Sequence, residues 1–127
     1  MQTFKTKAFA RFADREGIDD AALCEAVDRA RSGLVDADLG GGVIKQRIAR
    51  KGGGRAGGFR TIVLFRRGER AFFVYGFAKS ARENLRRDEL ETFRWLADEY
   101  LALDRAGLAA AKAVEAIIEV KCDDQAL

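Results

Sequence analysis

Thirteen Lys and Arg lie between Val43 and Arg87, and only two acids, Glu69 and Glu83, lie among them. The rest of the chain carries ten Lys and Arg against eighteen acids, so a protein of formal charge +3 gathers its positive charge in its middle third. Such a patch raises the local concentration of anions and speeds encounter with phosphate-rich partners. Within it, Lys45 and Arg47 alternate with Ile44, Gln46 and Ile48, the period of a half-exposed strand that presents both cations from one face. There is no His, which removes the usual proton shuttle at neutral pH and the commonest metal ligand. A metal-dependent nuclease built on Asp and Glu stays open, but the acids fall mainly on helical segments away from the basic stretch, so neither a metal nor a cofactor is expected. The Gly-rich stretch from Lys51 to Gly58 lacks the G-x-x-x-x-G-K-[ST] spacing of a nucleotide-binding loop. A solvated charged face is the other reading of such a stretch, and the spacing of its cations on apparent strands favours a surface that meets phosphate.

The elements that must position these cations follow from periodicity and punctuation. Thr3 to Lys5 reads as a short strand leading into a helix over Lys7 to Glu16, with Phe9, Phe12 and Ala13 at helical spacing and Gly17 as its stop. Asp19 caps a second helix, Asp20 to Arg31, striped with Leu23, Ala26, Val27 and Ala30. That helix carries Glu25 and Asp28, which argues against its reading DNA. Residues 34 to 42 end in a triple-Gly turn, followed by the strand Val43 to Ala49. Phe59 to Arg66 and Ala71 to Ala78 form a hairpin closed at Arg67-Gly68-Glu69-Arg70, the second run apolar on both faces as a central strand is. A third helix spans Asp88 to Asp104; residues 106 to 116 extend it after Gly107, and Ile117 to Lys121 returns as an edge strand.

At 127 residues with 48% hydrophobic and 34% charged residues, the chain is expected to form one α+β domain over residues 1–127. No apolar run is long enough to span a membrane, and the first nine residues, MQTFKTKAF, lack the apolar core of a signal peptide. Cys24 and Cys122 lie far apart in sequence and read as reduced thiols of a cytoplasmic protein, Cys24 packing within its helix.

Gly57-Gly58-Phe59-Arg60-Thr61-Ile62, the run from Arg66 through Phe77-Ala78-Lys79, and Asn84 together resemble the RelE/ParE toxin superfamily, and most of all the HigB-like branch of bacterial type II toxin–antitoxin systems. The likeness extends over most of the chain. It implies a microbial-RNase-type fold, an N-terminal helical hairpin packed on a small, mainly antiparallel sheet with a C-terminal helix. It further implies a toxin that cuts ribosome-bound mRNA and is neutralised by an antitoxin of helix-turn-helix type. Carried over residue by residue, the family's paired strand cations fall on Lys45 and Arg47, the arginine opening the next strand on Arg60, and the basic cluster after the central strand on Lys79 and Arg82. Where the best-studied members have an arginine after that lysine this chain has Ser80, and where they have a tyrosine a little later it has Arg86. ParE-like relatives that inhibit gyrase share the fold, as would a non-cleaving protein that binds RNA or antitoxin; both stand as alternatives.

RNA cleavage needs a group to take the 2′ proton, charge to meet the phosphate, and a proton for the leaving oxygen. Guanidinium groups bind phosphoryl oxygens bidentately and stabilise developing charge, and a lysine among other cations is more easily deprotonated. Arg60 is therefore assigned to the transition-state phosphate, Lys45 or Lys79 to proton transfer, and Arg47 and Arg82 to the substrate backbone, with Arg55 reaching in from the Gly-rich loop. The row Phe73, Tyr75, Phe77 reads as core, Tyr75 alone bringing a hydroxyl that can touch substrate. Cations on a strand also serve to block edge pairing, Lys79 and Arg82 also read as residues of a helix start, and Asn84 as a local cap.

Overall fold

The computed structural model describes residues 1–50, 58–82 and 84–122. β1 (Gln2–Thr6) runs straight into α1 (Lys7–Glu16) because Thr6 stays extended while its hydroxyl accepts the Phe9 amide at 3.2 Å. Gly17, left-handed at φ 72°, ends that helix, and the Ile18 amide returns to the Ala13 carbonyl at 2.8 Å. Asp19 then caps α2 (Asp20–Arg31) through the Ala22 amide at 2.9 Å. The chain continues through β2 (Ala37–Gly40), β3 (Val43–Ile48), β4 (Phe59–Arg66) and β5 (Arg70–Ala78) to α3 (Arg87–Leu101), α4 (Arg105–Ala113) and β6 (Ile117–Val120).

The strands form one sheet in the order β2-β3-β4-β5-β1-β6, antiparallel except where β1 pairs with β5. Its two faces bury different clusters. Phe9, Leu23 and Val27 of α1 and α2 pack on Ile44, Ile48, Val63 and Phe73. Ala97 and Leu101 of α3 and Leu108 of α4 pack on Val43, Ile62, Leu64 and Phe72. Gly76 faces α1 so closely that a Cβ there would lie 2.3 Å from the Phe12 ring.

A buried glutamine stitches the first face. Gln46, 1% exposed, accepts the Asp36 amide at 2.7 Å and donates to the Ala26 and Leu34 carbonyls at 2.9 and 3.3 Å. It ties α2 and the segment after it to β3.

Four expectations are corrected. Residues 34 to 42 contain the strand β2, which the turn reading missed. There are two C-terminal helices: the third ends at Leu101, and Asp104 caps α4 through the Gly107 amide at 2.7 Å, so Gly107 lies inside the new helix. β5 carries a bulge opposite Ile62 and Val63, which splits the row Phe73, Tyr75, Phe77 between the two faces. Cys24 and Cys122 form a disulfide, because β6, paired to β1, brings the C-terminal residues back beside α2.

Candidate functional site

The alternation of β3 turns Ile44, Gln46 and Ile48 toward α1 and α2, and so places Lys45 and Arg47 with Val43 on the opposite face. Register extends the row across the sheet: Arg47 opposes Arg60 on β4, and Arg60 opposes Phe77 on β5. One step along, Lys45 opposes Ile62, which opposes Tyr75. Lys45, Arg47 and Arg60 thus share a face with two aromatic rings. Within the sheet Lys45 is paired on both sides, with Ala37 of β2 and Ile62 of β4, so edge protection does not account for Lys45. Two arginines directly opposite one another are a pairing that sheet stability alone disfavours. Arg60 is only 7% exposed, whereas the Arg47 side chain is exposed.

Arg82 comes over this face from the segment between β5 and α3. Its guanidinium carbon sits 5.4 Å from the Phe77 ring centre and 5.9 Å from that of Tyr75, and one nitrogen reaches the Tyr75 hydroxyl at 3.2 Å. Glu89, in the first turn of α3, holds the guanidinium with both oxygens: Oε2 accepts at 3.0 Å, and Oε1 takes a second, shorter bond while also accepting the Arg86 amide at 2.8 Å. The Arg82 hydrogen bond and, behind it, the Arg86 amide lower the Glu89 pKa to about 2, while Glu89 pushes the Arg82 pKa up. The Asn84 carbonyl accepts from Arg82 at 2.9 and 3.1 Å, and its side-chain oxygen accepts the Lys45 ammonium at 3.3 Å. Asn84 therefore bridges Lys45 and Arg82, and the residue capping α3 is Arg86.

The backbone beneath Arg47 is fixed from α2. Asp36 accepts the Arg47 amide at 2.7 Å, and Arg29 donates to the Arg47 carbonyl and to Asp36 at 3.1 Å. Burial works to raise the Asp36 pKa, but the Arg47 amide and the Arg29 guanidinium outweigh it and hold the carboxyl below its ordinary value.

Lys45, Arg47, Arg60, Tyr75 and Arg82 are thus brought together. Lys79 lies in the turn after β5, exposed, with its amide on the Gly58 carbonyl at 3.3 Å. Neither it nor Arg82 belongs to a helix start, since α3 begins at Arg87. Arg55 lies outside the described residues. The expectation that acids keep away from the basic face fails at Glu89; sequence reasoning also missed Phe77 as a platform for Arg82, and Arg50, whose guanidinium lies 5.1 Å from the Phe59 ring centre. A signal for Glu89 existed in its position, the third residue of a helix whose start it closes.

Chemically, the face can clamp a phosphodiester between fixed guanidinium groups, with an ammonium and a phenol in reach. Among the described residues no three His, Cys, Asp or Glu are placed to hold a metal ion, and no helix is long and apolar enough to cross a membrane. A family model described as the RelE toxin of the RelE/RelB toxin–antitoxin system matches residues 1–120. No curated protein matches the chain.

Proposed function

The chain belongs to the RelE toxin family, and from that premise we propose that it is the toxin of a toxin–antitoxin pair, of the HigB-like branch, and cuts mRNA on the ribosome. The observation that carries the reading is the convergence of Lys45, Arg47 and Arg60 on one sheet face, with Arg82 held above it. In this reading the 2′-hydroxyl attacks the adjacent phosphorus, a P–O bond forms, and the bond to the 5′-oxygen breaks, leaving a 2′,3′-cyclic phosphate and a free 5′-hydroxyl. Arg60 meets the charge that grows on the phosphoryl oxygens; a guanidinium fixed on a strand does so without reorganising. Arg47 binds the flanking backbone; Arg82, whose N–H groups are engaged by Glu89, Asn84 and the Tyr75 hydroxyl, joins it on the substrate backbone only by giving up one of these bonds. Lys45, inside the cluster on Asn84, takes the 2′ proton as the free amine, and the ammonium so formed gives a proton to the leaving 5′-oxygen, with Lys79 at the exposed turn and Arg55 contacting more distant phosphates. Tyr75 presents its hydroxyl beside Arg82. The neutralising partner is an antitoxin, of helix-turn-helix type in this branch, and the site of action is the cytoplasm.

The test is a translation reaction with the purified protein. New 5′ ends should arise in the message when ribosomes translate it, and none when ribosomes are omitted. Intact messages together with inhibited DNA supercoiling would replace this reading with that of a gyrase inhibitor.

A further inference from the structure

Beyond the far end of α3, α4 and the paired starts of β1 and β5 enclose a second cleft of about 600 Å³. That volume suits a small molecule. Along one wall, α4 turns Arg105, Leu108, Ala109 and Lys112 to the cleft, the i, i+3, i+4, i+7 stripe of one helical face. Two cations are thus set roughly 10 Å apart along the axis with an apolar strip between them. Gln2 and Arg70 form the opposite wall, directly paired in register, and Phe4 lies beneath. Among the described residues no carboxylate is in the lining, Glu119 reaching only Lys112 at its rim. Arg70 is fixed in place, since it donates to the Leu103 carbonyl in the turn between α3 and α4, and a guanidinium so held keeps further N–H groups for a ligand. Lys112 also meets Glu119 at 3.1 Å, a half-exposed pair of the kind worth little in water.

The charge placement is unusual for this chain. Beyond Arg87 acids outnumber bases, with only Arg94, Arg105, Lys112 and Lys121 as cations, yet two of those four face this one cleft. Guanidinium groups on opposite walls match phosphoryl oxygens. The Leu108–Ala109 strip offers an apolar bed for a flat ring, and the Gln2 amide can both donate to and accept from a base edge. We propose that this cleft is a second binding site, for the phosphate and base of a nucleotide. α3, fifteen residues long and so about 22 Å, separates it from the face that carries Arg47 and Arg60, and the proposal stands independently of the function assigned there.

The nucleotide is either free or one unit of an RNA strand, and two probes distinguish these: AMP and a short RNA oligomer, titrated calorimetrically into the full chain. The variants are Arg105→Gln with Lys112→Gln, both exposed side chains of the helix wall, and Arg47→Ser as a control; thermal melts verify that each is folded. The double variant should bind at least one probe tenfold more weakly than the wild type, while Arg47→Ser leaves AMP binding unchanged. Loss with AMP assigns the cleft to free nucleotide, and loss with the oligomer alone assigns it to a strand. The proposal is overturned if both probes bind the double variant as they bind the wild type, or if AMP binding is lost in Arg47→Ser instead.

Discussion

Arg60 and Glu89 represent two different ways in which a single side chain serves the proposed reaction. Arg60 sits nearly buried between Arg47 and Phe77, where a guanidinium can face phosphate with little water between them. Replacing Arg60 with Ala should abolish growth arrest and slow cleavage by roughly 10²–10³-fold, the loss typical of one preorganised charge-stabilising donor, while circular dichroism reports a folded protein. Full toxicity in the folded variant would remove Arg60 from the site. Glu89 acts on Arg82 rather than on substrate. Its pKa is held at about 2 against an ordinary 4.5. A depressed carboxylate stabilises the fold above its unfolded pKa and loses that contribution as pH falls toward the folded value. The wild-type melting temperature should therefore drop more steeply from pH 5 to pH 2.5 than that of Glu89→Gln. Parallel curves would show that the clamp on Arg82 contributes nothing to the fold.

At the scale of elements, the site depends on β3 being held from below. Gln46 sits at the junction of α2, the following segment and β3, and its bonds fix Asp36, which in turn fixes the Arg47 amide. Gln46→Leu matches the volume but leaves the Asp36 amide and the Ala26 carbonyl without this partner, and should cost about 1–3 kcal/mol in urea unfolding. An unchanged midpoint would mean that the network is dispensable. Much of this level was legible beforehand. Gly17 and Asp19 announce the boundaries of the first two helices, and the alternation in β3 alone sorts Lys45 and Arg47 onto one face. β2 was not legible, since Ala-Asp-Leu-Gly lacks an alternating apolar pattern and is ordered by pairing with β3. The break before α4 was hidden because Asp104 reads as a helical residue until its side chain is seen on the Gly107 amide. The bulge in β5 leaves no mark in composition, yet it decides that Tyr75 and Phe77, and not Phe73, stand beside Arg82. Glu89 was lost among acids read as lying on helical segments away from the basic stretch.

The whole molecule is a sheet with helices on both sides, the cations of its middle strands gathered on the face that α3 and α4 leave partly open. The disulfide between Cys24 and Cys122, 98 residues apart in sequence, ties the end of the chain to α2 on the other face, a contact no local pattern could announce. Closing so long a loop restricts the unfolded chain, and such bridges typically contribute 2–5 kcal/mol. A reductant should lower the denaturation midpoint of the wild type and leave that of Cys24→Ser unchanged; equal midpoints with and without reductant would remove the bridge from the account of stability. The central claim is that this cationic face makes RNA cut itself through its own 2′-hydroxyl. Its most direct test is cleavage on programmed ribosomes of two messages that differ by one atom, a ribose or a 2′-deoxyribose at the scissile position. The account requires that the ribose message be cut to a 2′,3′-cyclic phosphate and that the deoxy message stay whole. Equal cleavage of both, or of neither, would contradict it.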